Sequence, residues 1–256
     1  MKFFRKICLA ILISPAHSLS AQTNALPPLP IIIQRALERA ALEDENDREF
    51  NQNYNYTRIR LTEFHNAKGE LISREEKRTD EGAAKIRRQP AVTTEAGEKN
   101  APLSDTHSNI HGKMLQVKDY SLTNLVSRFQ VTLAGREMVN GRPSFVLDFV
   151  PRKNLPVHSY KDNFINQAAG RVWVDESDYA IARANVYLTQ QVNVLGGLLG
   201  AVWKFTYAFD RARTPEGFWF ARQVDWHLEG REVIFHRIVD YHEQKIDEKK
   251  VSLPAR

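Results

Sequence analysis

Cysteine is nearly absent: the 256 residues hold one, Cys8. A disulfide framework is therefore excluded, as is any site that needs two thiolates. Long apolar runs are also missing. The single window that approaches one starts at Ile7 and is cut by Pro15, well short of the ~20 apolar residues of a spanning helix. Neither sign of charge dominates, with 36 Lys and Arg against 31 Asp and Glu, a net charge of +5. There is no Gly-x-Ser-x-Gly elbow to carry a nucleophile, and no glycine-rich loop followed by Lys-Ser/Thr to hold a phosphate. What is present is ordinary globular composition, 42% hydrophobic and 26% charged, enough to build a core.

The first residues read as an export signal. Lys2, Arg5 and Lys6 precede the apolar stretch Ile7 to Ser14, and Ser18-Leu19-Ser20 offers small residues for a peptidase. Cleavage is expected after Ser20 or Ala21, leaving residues 21–256 as a single soluble, monomeric, periplasmic domain. Cys8 lies inside the apolar stretch rather than after it, so lipid attachment is not expected. Losing three basic groups leaves 33 basic against 31 acidic residues, a charge of +2. A balance so near neutral argues against nucleic acid as a partner.

Beyond Pro30, apolar residues at Ile33, Ala36, Leu37, Ala40 and Ala41 among charges predict an amphipathic helix over 31–51. From Tyr54 the period becomes two, with Tyr54, Tyr56, Arg58, Arg60 and Thr62 on one face and Thr57, Ile59 and Leu61 on the other. A turn at Asn66 to Gly69 leads into a second strand, 70–79, and a third is expected over 83–89. Residues 91–112 are polar and predict a mobile loop. A short helix capped by Ser121, with Leu122, Leu125 and Val126 as its stripe, is expected within 115–128. Asn140-Gly141 between alternating runs predicts a hairpin. A second hairpin spans Gly170 to Asp175 and Ala180 to Thr189, and three further strands are expected at 202–210, 218–228 and 231–241, with turns at Thr214 to Gly217 and Glu229-Gly230. The fold class is thus mainly β with α: nine or ten antiparallel strands in one meander, whose apolar face needs a helix as cover.

Gly170, Trp173, Asp175 and Arg183, with Gly135-Arg-Glu137 and Asn140-Gly-Arg-Pro143 before them and Glu216-Gly-Phe-Trp219 and Gly230-Arg231 after them, carry a resemblance. Over residues 30 to 245 the chain resembles the LolA/LolB-like superfamily of periplasmic lipoprotein and lipid carriers, in particular the outer-membrane lipoprotein-sorting-like proteins. The resemblance implies a curled, unclosed antiparallel barrel lidded by helices, with an apolar cavity for acyl chains. No lid-locking arginine of the carriers is matched here.

Alternation places Trp203, Phe205, Tyr207 and Phe209 on one face of one strand and Phe218, Phe220, Val224, Trp226 and Leu228 on one face of the next. Phe145, Leu147 and Phe149, with Phe129 and Val131, extend the same lining. As single residues these are core formers; as a set they exceed what one helix covers, and the remainder predicts a cavity. The segment 192–200, with three glycines among aliphatic residues, reads either as a bend or as a mobile apolar loop presenting Val194, Leu195, Leu198 and Leu199 to an acyl chain or, transiently, to a membrane surface. Arg58, Arg60, Arg222 and Arg237 interrupt apolar stretches, and their expected partners are Asp225, Asp240, Glu63 or a ligand headgroup. His107 and His111 sit in the polar loop without a third ligand, so no metal or other cofactor is expected. The expected function is a non-enzymatic carrier of a lipid or acylated protein. The alternatives are a periplasmic sensor or assembly partner that binds another protein, and, should Arg222, Asp225 and His227 converge, a hydrolase.

Overall fold

Period-two alternation governs the chain from residue 54 onward, and the computed structural model turns it into one sheet. The structure describes residues 26–83, 126–194, 200–232 and 234–251. Outside these lie the expected export signal, all of the third strand but Ala83, the polar loop, Ser121 with its expected helix up to Leu125, and Leu195, Leu198 and Leu199.

Two helices come first, α1 (Leu29–Ala40) and α2 (Glu43–Asn53), where the sequence predicts one. Pro30 fits the first turn of α1 because a helix leaves its leading N–H groups unpaired. The break at Ala41 and Leu42 is a tertiary effect: Asn46 of α2 clamps the backbone of Trp219, accepting from its N–H at 2.9 Å and donating to its C=O at 2.6 Å. The stripe of α1 is also rotated by one residue from expectation. Ile32 is fully buried, with Leu29, Ile33 and Ala36 beside it.

The strands are β1 (Tyr54–His65), β2 (Leu71–Gly82), β3 (Phe129–Val139), β4 (Arg142–Pro151), β5 (Ala168–Asp175), β6 (Ile181–Leu188), β7 (Val192–Val194), β8 (Gly200–Arg213), β9 (Trp219–Glu232) and β10 (Phe235–Lys250), with a short α3 (Tyr160–Ile165) before β5. Ser159 caps α3, accepting from the Asp162 N–H. All pairings are antiparallel, in the order β2-β1-β10-β9-β8-β6-β5-β4-β3, with β7 adding to β8. The sheet is unclosed, and β2 and β3 are its edges. β2 protects its edge with a run of charge from Arg74 to Arg78, which discourages further strand addition.

Sequence-local hairpins form as expected. Asn140 and Gly141 both have positive φ (51° and 77°), the twist-matched two-residue turn. The turn at Thr214 to Gly217 is also present, closed by the Thr214 N–H to the Phe218 C=O. Glu229-Gly230 is not a turn. β9 runs through it to Glu232, and Gly230 is a point of close approach: a Cβ there would sit 2.4 Å from the Ala201 carbonyl oxygen.

Glu216, in the β8–β9 turn, accepts from Lys250 Nζ at 2.7 Å and from the Tyr54 hydroxyl, tying the ends of β1 and β10 to this turn. Those two donors hold its carboxyl down at about 2, from an ordinary 4.5. A depressed carboxyl stabilises the fold above its unfolded pKa, and that contribution is lost as pH falls from about 4.5 through about 2. Thermal unfolding followed from pH 6 down to 2 is expected to show a small fall that Glu216→Gln lacks.

Candidate functional site

One face of the sheet carries α1 and α2, and the strand register names its residues without ambiguity in the middle of the strands. A first row crosses nine strands as Leu133, Leu147, Val172, Ala184, Phe209, Val224, Glu243, Arg60 and Lys77. Beside it runs Val131, Phe149, Gly170, Val186, Tyr207, Trp226, Tyr241, Thr62 and Glu75. Both rows are apolar from β3 to β9 and change to charged or hydroxylated side chains on β10, β1 and β2. The inner face is therefore a greasy floor with a charged flank.

The helices seal only parts of that floor. Ile32 of α1 closes over Phe145, Leu147 and Val174, so these belong to the core rather than to a cavity. Phe50 of α2 packs against Tyr54, Tyr56 and Phe220, with Phe218 at the margin. Phe164 of α3 meets Phe205 edge-on at 5.1 Å, next to Val192 and Val202. Phe149 packs edge-on against Phe129 at 5.1 Å near the β3 edge. Between the sealed regions lie Tyr207, Phe209, Val224, Trp226 and Tyr241, all half-buried. Trp226 and Tyr241 stack at 5.3 Å and 13°. The Tyr207 and Tyr241 hydroxyls are pushed up first by burial, with Glu243 adding to both.

Four of the expected lining residues thus come together on open floor: Tyr207, Phe209, Val224 and Trp226. Trp203 does not join them. Val202 pairs with Gly230 and Lys204 with Glu229, so Trp203 is an extra residue in a β-bulge. The bulge turns its ring to the outer face, where it meets His236 edge-on at 4.7 Å and stays 38% exposed. Val194 is not part of a free loop, since its backbone pairs with Gly200. The residue that strand reading missed is Tyr241. Its signal was the continued alternation of Val239, Tyr241 and Glu243, which places it beside Trp226.

Three of the four arginines find other partners than those expected. Arg58 pairs with Glu81 at 3.2 Å and Glu243 at 3.5 Å, Arg222 with Asp210 at 3.2 Å, and Arg237 with Glu232 at 3.2 Å. Asp225 and Asp240 instead pair with His242 and His227 on the outer face. These four line a shallow groove of about 550 Å³ together with Leu61, Glu63, Tyr187 and Thr206, and Tyr207, Trp226 and Tyr241 of the same strands also border it. Asp225 and His227 share that groove, each bonded to a separate partner, with His227 Nε2 buried and unpartnered, while Arg222 binds Asp210 and Asn140. The three do not converge. Among the described residues no group of three His, Cys, Asp or Glu is placed to hold a metal, and no helix is long and apolar enough to cross a membrane.

The motif residues Trp173, Asp175 and Arg183 lie away from the open floor. Trp173 is flanked by Arg171 and Arg183 at 6.0 and 5.7 Å and donates to Glu137 at 2.7 Å. Arg183 pairs with Asp210 at 2.6 Å. No family model and no curated protein matches the chain. Solved structures do match it. A DUF1329 family protein from Desulfovibrio piger is 14% identical, covering 86% of this chain and 94% of its own, with a TM-score of 0.34. An outer membrane lipoprotein-sorting protein domain from Vibrio parahaemolyticus is 13% identical over 88% and 95%, with a TM-score of 0.33. A LolA superfamily protein from Nitrosomonas europaea is 11% identical over 87% and 94%, with a TM-score of 0.31.

Proposed function

We propose that the protein is an exported, periplasmic, non-enzymatic carrier that holds the acyl chain of a lipid or acylated protein against the open floor of its sheet. The observation that carries this reading is the half-buried strip Tyr207, Phe209, Val224, Trp226 and Tyr241, which lies on the helix side of the sheet between three sealed clusters. Hydrophobic burial supplies the affinity. Each methylene removed from water contributes about 0.8 kcal/mol, so ten supply about 8 kcal/mol against the several kcal/mol lost on association.

Native mass spectrometry and lipid extraction of protein purified from its own periplasm test the reading directly, and a co-purifying acyl species is the expected result. A tightly bound protein with no lipid would favour the partner-binding alternative and count against the carrier. A second test uses displacement of the neutral probe N-phenyl-1-naphthylamine. Trp226→Ala removes a large part of the floor and is expected to weaken probe binding roughly 10- to 100-fold, the equivalent of about 1.5–3 kcal/mol. Trp203→Ala, on the outer face, is expected to leave it unchanged. Equal effects of the two substitutions would overturn the placement of the site.

A further inference from the structure

The charged flank of the inner face holds Arg58, Arg60, Lys77 and Lys245, and of its partly buried cations Arg60 has no acceptor or aromatic ring among the described residues. Arg58 is engaged by Glu81 and Glu243, and Glu243 also accepts from the Tyr241 hydroxyl at 2.7 Å. Lys245, across the β1–β10 ladder from Arg58, places its ammonium over the Phe50 and Tyr56 rings at 5.6 and 5.1 Å. Burial, with Arg58 adding to it, holds that amine below its ordinary pKa. Arg60 has no such arrangement. Its Nε is buried with no hydrogen-bond partner, and it enters no ion pair among the described residues. The side chain as a whole is half-buried, and a guanidinium whose Nε is shielded from water without an acceptor favours an anion that supplies one.

Position connects this cation to the floor. Arg60 is paired with Glu243, and Glu243 with Val224, so Arg60 stands two strand spacings, about 10 Å, from the apolar row. It is also close enough to the Tyr241 hydroxyl to act on its ionisation. An alkyl chain laid on Trp226 and Val224 would end beside the Arg60 fork, which suits a planar, two-oxygen acceptor.

We propose that Arg60 forms an anion subsite at the edge of the floor, and that the ligand is a single-chain lipid ending in an acidic group, a carboxylate or a phosphate monoester. This rests on the acyl-carrier reading and adds the headgroup to it. The site selects by charge where the floor selects by chain.

Delipidated protein carrying N-phenyl-1-naphthylamine is titrated with palmitate, methyl palmitate and hexadecyl phosphate. The two acids are expected to displace the probe at concentrations at least about tenfold lower than the ester, in line with a charge-assisted hydrogen bond. The ratio between the two acids identifies which headgroup is the natural one. Arg60→Gln is expected to bring all three to the ester's value, while Arg222→Gln, on a pair elsewhere, keeps the preference. Arg60→Lys retains the charge and is expected to keep part of it, which secures the test if Arg60→Gln does not fold. Equal displacement by acid and ester in the unaltered protein, or a preference that survives Arg60→Gln in a folded variant, overturns the subsite and leaves the carrier reading standing. Failure of every lipid to displace the probe overturns the carrier reading itself.

Discussion

Phe50→Ala is expected to destabilise the protein by about 3–5 kcal/mol, measured as the change in unfolding free energy in urea. Phe50 is 1% exposed and stacks on Phe220 at 4.6 Å and on Tyr54 at 5.2 Å, with Tyr56 tilted against it at 5.4 Å. The rest of α2 is Glu, Asp, Asn, Arg and Gln, and a helix of eleven such residues does not persist in water by itself. Its place on the sheet depends on Phe50 and on the Asn46 clamp at Trp219. Truncating the ring removes a three-sided aromatic contact and leaves a cavity among groups that the β1 and β9 backbones hold apart. The Lys245 ammonium, which lies over the same ring, loses one of its two aromatic neighbours as well. A loss below about 1 kcal/mol would mean that α2 is held by something other than this contact.

The parts of the fold legible in the sequence are those whose signal is local. Asn140-Gly141 dictates its own hairpin, and the Asn66 turn closes because the Asn66 side chain accepts from the Lys68 and Glu70 amides. Gly170 keeps its meaning too, since a Cβ there would lie 2.0 Å from the Asn185 carbonyl oxygen. Misreadings occur where one residue shifts the phase. Trp203 has the residue type of a lining position, and only the pairing of Val202 and Lys204 with neighbouring residues of β9 reveals the bulge. Gly230 has the composition of a turn but serves a close strand crossing. The split of α1 from α2 depends on Asn46 reaching Trp219 across 173 positions, which no helical periodicity encodes.

The candidate site divides along the same line. Tyr207, Phe209, Val224 and Trp226 are visible as alternating large apolar residues, so the floor follows from period two alone. Which of the aromatic residues are sealed and which remain open depends on where α1, α2 and α3 land. Phe145, Phe205 and Phe220 were indistinguishable from Tyr207 and Trp226 until Ile32, Phe164 and Phe50 were placed over them. The isolation of Arg60 is less local still. It requires the β1–β10 register, the engagement of Glu243 by Arg58 and Tyr241, and the distance of Asp225 and Asp240 on the other face.

Asp175→Ala is expected to cost about 3 kcal/mol in the same urea measurement, although no ligand site includes it. The Asp175 side chain is 0% exposed and accepts two parallel bonds from Arg142, at 2.6 and 2.8 Å, as well as the amides of Ser177 at 2.9 Å and Asp178 at 3.2 Å. It therefore fixes the β5–β6 turn and, through Arg142 over the Trp219 ring at 5.7 Å, the packing of the sheet beneath that turn. Burial by itself would raise its pKa; the Arg142 fork and the two amides outweigh burial and leave it below the ordinary carboxylate value. A carboxyl lowered on folding stabilises the protein above its unfolded pKa, and the contribution is lost as pH falls through the folded one. Asp175→Asn keeps the shape and part of the hydrogen bonding but removes the charge, so a loss smaller than that of alanine is expected, with a flatter stability profile below pH ~4 than the unaltered protein. If asparagine costs as much as alanine, the charge of the Arg142 pair governs this corner; if it costs almost nothing, the two amides do.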